Sequence, residues 1–395
     1  MPKKILFLEH NVDGTVGGSH ICLLGICKYL DKAKWLPVAC FYQENSLLPA
    51  FRELGITVRV LEPFKPWLVR SERQRARSRV LGFVQSTVNF LRMVAVRPCY
   101  WMRILRAEKI DVVHLNNSCG GDADLILAAK FLRIPVIAHQ RGFPPRFGVF
   151  ERILARRMKV IIAVSDIIKE HMIHLGIPEE IVVRVHDGIE LGRLEQSRPP
   201  AELKHELGVA GEELVVGMLG NIKHWKGQRV LVEAMPLVLE KFPMTRFMFV
   251  GTVADEQYKS ELDARIDALG INDSVIFTGY RPDAIDLIAM MDVVVHASVE
   301  AEPFGLVVLE AMGKGVPIVA TDLGGPKETV VDKVTGALFE SGNPRNLAEA
   351  IHGFLECKAL RLAVGKAGFD HVRARFSAQK NVHDLVGIYE DRLYM

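Results

Sequence analysis

The sequence predicts an α/β protein of two doubly wound domains, each a parallel sheet covered by helices on both faces. Three observations carry that expectation. The chain has 395 residues, more than one hydrophobic core ordinarily organises, so two domains are the prior. Two series of short, apolar, β-branched runs alternate with helical patterns, and continuous apolar runs are what strands buried on both faces require. Between the series lies a polar stretch carrying Pro199 and Pro200, the composition of a linker. With 49% hydrophobic and 25% charged residues, the chain is globular rather than disordered.

The first series reads KILFLE, PVACFY, TVRVLE, DVVHLN, PVIAHQ, VIIAVS and IVVRVH, and places a first Rossmann-like domain at residues 1–197. A linker is expected over 198–213. The second series, LVVGMLG, RFMFVG, SVIFTG, VVVHAS, PIVATD and GALFE, places a second domain over 214–380. In such sheets ligands sit at the carboxyl ends of the strands. Residues 381–395 carry Val382, Leu385, Val386 and Tyr389 at helical spacing and are expected to form a C-terminal helix packing on the first domain.

Composition excludes several classes. The six cysteines are scattered, with no CxxC pair and no His/Cys ligand spacing, which argues against a zinc site or a disulfide framework and suits a reducing, cytoplasmic compartment. The N-terminus turns polar after a few apolar positions, too soon for a signal peptide, and no apolar run is long enough to span a bilayer. The net charge is +3, unevenly distributed. From Lys65 to Lys109, eleven basic residues stand against Glu72 and Glu108, interleaved with Phe64, Trp67, Phe83, Phe90, Tyr100 and Trp101. Such a segment suits an anionic membrane surface, and equally a solvated helix face with its own core contacts. No nucleic-acid recognition module accompanies it.

Four places hold candidate chemistry. After the first strand, Gly14, Gly17 and Gly18 could let a backbone pass close to a phosphate, although the spacing is not GxGxxG and a flexible turn explains it as well. Asp122 and Asp124 have the look of a metal-binding pair, but they open a helical run, where Asp caps free N–H groups; the cap is the reading adopted and no metal is expected. His139 ends a strand and so faces the ligand crevice of its sheet, though a lone histidine is most often structural. Finally, EPFGLVVLE places Glu302 in a loop and Glu310 about two turns into a helix, roughly 12 Å apart at ~1.5 Å per residue. Between them Gly305 permits close backbone approach, and the helix start suits an anion. Taken alone, the two glutamates read more readily as solvated acids of an amphipathic helix.

In sequence order, GNIKHWKGQ, FTGYRPD, EPFGLVVLE and AMGKGVPIVATDLGGPKE resemble the retaining GT-B glycosyltransferases of family 4. In the first half, the Gly17-Gly18 loop, VIAHQ and the stretch from VIIAVS to HDGIE match as well, so the likeness covers nearly the whole chain. It implies a GT-B fold, two Rossmann-like domains facing an interdomain cleft, with a sugar moved from a nucleoside diphosphate donor to a hydroxyl acceptor. Retention of anomeric configuration comes from the resemblance alone, as does the idea that a donor phosphate oxygen takes the acceptor proton. No metal or other cofactor is implied. Carried over residue by residue, Lys226 pairs with the donor diphosphate and Glu310 accepts from the ribose hydroxyls. Glu302, with the backbone of Pro303, Phe304 and Gly305, holds sugar hydroxyls; Leu306 N–H meets a phosphate; His139 contacts the sugar; Gly17 and Gly18 floor the substrate site. Two departures stand out. Asn221 occupies a position often held by arginine in that family, with Lys223 and Arg281 the candidates to replace it as phosphate partner, and Asp187-Gly188 replaces a common Asn-Gly. The basic aromatic segment suggests a lipid-linked glycan acceptor and a peripheral membrane location, as in polysaccharide or glycolipid assembly. The rival readings are a nucleotide-sugar epimerase on the same architecture, a catalytically weak nucleotide-sugar-binding protein, and a membrane-surface adaptor.

Overall fold

The structure, a computed structural model, describes residues 1–12, 14, 16–65, 79–144, 146–195 and 198–394. The chain divides into two compact units, Met1–His186 with Asn381–Met395, and Asp187–Lys380.

In the first unit every apolar run of the first series becomes a strand: β1 Lys3–Glu9, β2 Trp35–Phe41, β3 Thr57–Val60, β4 Val112–Leu115, β5 Val136–Gln140, β6 Val160–Ala163 and β7 Val182–Arg184. All neighbours pair in parallel, in the order β3-β2-β1-β4-β5-β6-β7. The order reverses between β1 and β4, which makes their carboxyl ends a topological switch point. Helix Ala378–Tyr394 delivers Val382, Leu385 and Tyr389 into this unit's core. The Tyr389 ring meets Trp35 edge-on at 5.4 Å, and its hydroxyl lies 2.5 Å from His114 Nδ1. Trp101, one of the aromatics interleaved in the basic segment, is fully buried and donates its indole N–H to Asp124 at 3.0 Å. The helix Arg97–Glu108 that carries it packs on helix Ala123–Phe131, so its aromatic face belongs to the core. Trp67, Arg70, Arg73, Arg75 and Arg77 lie outside the described residues.

The second unit contains β8 Leu214–Leu219, β9 Thr245–Val250, β10 Val275–Gly279, β11 Val293–His296, β12 Ile318–Thr321 and β13 Ala337–Phe339. These form a parallel sheet in the order β10-β9-β8-β11-β12-β13, with its switch point between β8 and β11. The boundary falls at Asp187, earlier than the expected linker at 198–213, and that stretch is not a free connection. Pro200–Glu206 is helical, and Leu203 and Val209 are buried. Its polar surface residues and paired prolines concealed these buried anchors. Among the described residues no helix is long and apolar enough to cross a membrane.

Candidate functional site

In the second unit, two loops that leave adjacent strands at the switch point bring the predicted residues together. After β8 the chain turns through His224–Lys226 to Gly227, whose φ of 75° lies in the left-handed region that favours glycine. A Cβ there would stand 1.9 Å from the Ala297 carbonyl oxygen, and Val299 N–H donates to Trp225 O at 2.9 Å. The loop after β8 is thus tied to the chain leaving β11. Across this junction Lys226 Nζ donates to both Glu302 carboxylate oxygens, at 2.9 and 2.8 Å, while lying 4.3 Å from the Trp225 ring centroid. Glu302 Oε2 also accepts from His296 Nε2 at 2.6 Å and from the Ser298 hydroxyl at 3.1 Å. Burial by itself would raise the Glu302 pKa, but His296 and Lys226 together hold it well below the usual carboxylate range. A half-buried anion is therefore held ready between two nitrogen donors.

The Glu302 loop is shaped by contacts that sequence reading did not assign. Gly325 N–H donates to Glu302 O at 2.8 Å. A Cβ on Gly325 would fall 2.3 Å from Phe304 Cα, and one on Gly324 would fall 2.6 Å from Glu302 O. The adjacent glycines of DLGGPKE let two backbones touch. Gly305 has a φ of 85° and ends this loop where helix Leu306–Gly313 begins, so its glycine answers a local backbone need as well as the expected openness to a ligand. Phe304 is buried, Pro303 and Leu306 are half-buried, and Glu310 lies half-buried on the helix. Desolvation raises the Glu310 pKa, opposed by Arg193. His296 and Ser298 were missed as functional side chains. The signal was present, because VVVHAS ends in the same place relative to its sheet as the strand that carries His139.

Arg281 does not join this group. Its guanidinium makes two hydrogen bonds to Asp283, both 2.7 Å, and one of 2.6 Å to Glu206, and Arg198 pairs with the same two acids. Arg281 is thus shared among carboxylates, and the charge expected of it beside position 221 is paired with Asp283 and Glu206 in this structure. Asn221 is exposed, and its backbone carbonyl accepts from Gln228 Nε2 at 3.0 Å.

In the first unit His139 is fully buried at the end of β5. Arg141 Nη2 lies 3.2 Å from its Nδ1, and burial, Arg141 and His114 all lower its pKa. The ring is neutral, and with Nδ1 accepting from Arg141 its proton resides on Nε2. Gly17 precedes helix Gly18–Tyr29, and nothing within 4 Å would crowd a Cβ there. At this unit's switch point the buried Glu9 accepts from Ser19 Oγ at 3.0 Å and from the Asn116 and Asn117 side chains. Asp122 stands at the N-cap position, but its side chain does not cap the helix. Asp122 Oδ1 instead accepts from Tyr42 OH at 3.0 Å and lies 2.9 Å from His10 Nδ1, while Asp124 accepts from Trp101 and from Leu125 N–H. Asp122 therefore opens the helix without a side-chain cap, which corrects that half of the expectation, while Asp124 does take a first-turn N–H. The other donors, His10 just after β1, Tyr42 just after β2 and Trp101 on the helix Arg97–Glu108, could not be inferred from spacing along the helix.

Two family models match the chain, Glycosyltransferase Family 4 over residues 45–193 and Glycosyl transferases group 1 over residues 201–371. The chain belongs to this glycosyltransferase family. Among curated relatives of this glycosyltransferase, the lipopolysaccharide core biosynthesis mannosyltransferase LpsB of Rhizobium meliloti is 26% identical over 87% of this chain and 92% of its own. The N-acetyl-alpha-D-glucosaminyl L-malate synthase of Bacillus anthracis is 26% identical over 73% and 77%. The crystal structure of Anabaena HepE in complex with UDP and glucose superposes with a TM-score of 0.80 at 25% identity, covering 98% of this chain and all of that one. The fold is therefore GT-B, with its sheets of seven and six parallel strands.

Proposed function

We propose that this glycosyltransferase moves a sugar from a nucleoside diphosphate donor bound by the second unit to a hydroxyl acceptor, with retention, in the assembly of a cell-surface polysaccharide or glycolipid. The observation that carries the donor reading is the Lys226–Glu302–His296 group at the β8/β11 switch point, where α/β sheets bind their ligands. Lys226 turns from Glu302 to the diphosphate and offsets the charge that grows on the leaving group. Glu302 keeps His296 and Ser298 as partners, and its carboxylate accepts from the hydroxyls of the transferred sugar. Pro303, Phe304 and Gly305 line that approach, Leu306 N–H meets a phosphate, and Glu310 accepts from ribose hydroxyls. In the first unit Gly17 and Gly18 leave a helix start open to substrate, and neutral His139 offers an Nε2 proton to a hydroxyl. No metal enters the proposal.

A lipid-linked acceptor and a peripheral, cytoplasmic-face location are supported by Phe83, Leu91 and Val96, which are 73%, 54% and 64% exposed within the basic segment. One observation favours the second reading, a weakly catalytic nucleotide-sugar binder: Arg281 is committed to acids and Asn221 carries no charge. Incubation with a panel of nucleoside diphosphate sugars separates the two. Transfer or slow donor hydrolysis is expected; nucleotide binding without either establishes the binder.

A further inference from the structure

The first unit holds a cavity of about 280 Å³ lined by Glu62, Pro63, Phe64, Lys65, Arg92, Val96, Arg97 and Tyr100. Its wall contains the π-helical turn Arg92–Val96, closed by Arg97 N–H donating to Arg92 O. In a regular α-helix, residues five apart point about 140° from each other. The wider i→i+5 turn brings Arg92 and Arg97 towards one side, and such π-turns occur frequently at functional sites.

The two arginines are held differently. Arg97 lies 4.1 Å over the Tyr100 ring, donates to the Glu62 carbonyl, and has its Nε 3.4 Å from Asp124 Oδ2; it is partly neutralised and fixed. Arg92 lies 5.6 Å over the Phe64 ring, and its buried Nη1 has no hydrogen-bond partner among the described residues. A buried guanidinium nitrogen without an acceptor loses solvation it does not regain within the protein. Lys65 adds an exposed charge at the rim, and Glu62, the one acid lining the cavity among the described residues, is exposed. Burial raises the Tyr100 pKa, with Arg97 opposing and Glu62 assisting, so its phenol stays protonated.

We propose that this cavity binds a phosphate group, with Arg92 as its principal donor, Lys65 as a second charge, and the Phe64 and Tyr100 rings flanking whatever carries the phosphate. Arginine forks match phosphate geometry. That the phosphate belongs to the acceptor rests on the reading proposed above; the anion site itself does not.

The test is calorimetric titration of the full chain, without donor, by inorganic phosphate and by glucose 6-phosphate, together with sedimentation on phosphatidic acid and phosphatidylserine vesicles. Arg92→Met keeps the stem and removes the fork; Lys65→Ala changes only an exposed side chain and guards against a folding failure in the first. Saturable binding weakened about tenfold by Arg92→Met and less by Lys65→Ala is expected. Binding of glucose 6-phosphate identifies a soluble sugar phosphate as source, whereas binding confined to phosphatidic acid vesicles identifies a lipid headgroup. Absence of saturable binding to all of these, or binding that both variants leave unchanged, overturns the site. UDP binding, followed in parallel by thermal shift, should be unaltered in both variants. Its absence from the wild type would sink the donor reading while leaving the phosphate titration to be judged by itself.

Discussion

At the scale of single residues, the donor reading turns on Lys226. In the structure its charge is spent on Glu302, and in the proposed reaction it is spent on the leaving diphosphate. Lys226→Ala should therefore lower turnover by ~100-fold or more, measured as steady-state transfer with a saturating donor, and wild-type kinetics would refute the role. Titration at two other sites predicts acid sensitivity. Burial and Arg141 lower the His114 pKa to about 3 from 6.5, so between those values the unfolded chain binds a proton that the native state refuses. Stability is then full above pH 6.5 and falls towards pH 3, by up to ~1.4 kcal/mol per pH unit. Denaturation curves across this range should slope less steeply for His114→Gln than for the wild type; equal slopes would count against it. Glu302 acts in the same direction lower down. Its carboxyl is held below the ordinary value of 4.5, so its contribution is present above that value and is lost as the pH falls through the depressed one.

At the scale of elements, strands were legible in the sequence because a strand buried on both faces is a continuous apolar run. VVVHAS, PIVATD and the rest became β11, β12 and their neighbours. What held the loops in place was less legible. Gly227 and Gly325 bring backbone against backbone, and nothing in GNIKHWKGQ or DLGGPKE says which carbonyl or Cα lies opposite. Gly325→Ala must displace Phe304 and, with it, Glu302. A loss of ~1–3 kcal/mol of stability is expected, accompanied by weaker donor binding. A variant with wild-type melting temperature and wild-type donor affinity would show that the two loops do not depend on this contact. Gly227→Ala faces the Ala297 carbonyl and adds left-handed strain, so it should be the more damaging of the two.

At the scale of the whole molecule, the last helix contributes to a core built chiefly by the first half of the chain. Tyr389 is fully buried between Trp35 and His114. Tyr389→Ala should cost ~3–5 kcal/mol, as for other large buried aromatics, read from chemical denaturation, while Tyr389→Phe isolates the smaller share due to the hydroxyl. Near-wild-type stability for the alanine variant would refute that place in the core. The two units, the strand series and the order of motifs were determined by the sequence alone, because apolar patterning and local turn chemistry are properties of neighbouring residues. Only the tertiary structure decided that Lys226 meets Glu302 from 76 positions away, that His296 joins them, that Arg281 is held by Glu206 and Asp283, and that Asp122 serves His10 and Tyr42 instead of capping its helix. Those partners are chosen by sheet order and loop packing, which bring distant residues within hydrogen-bonding reach without leaving a local pattern in the chain.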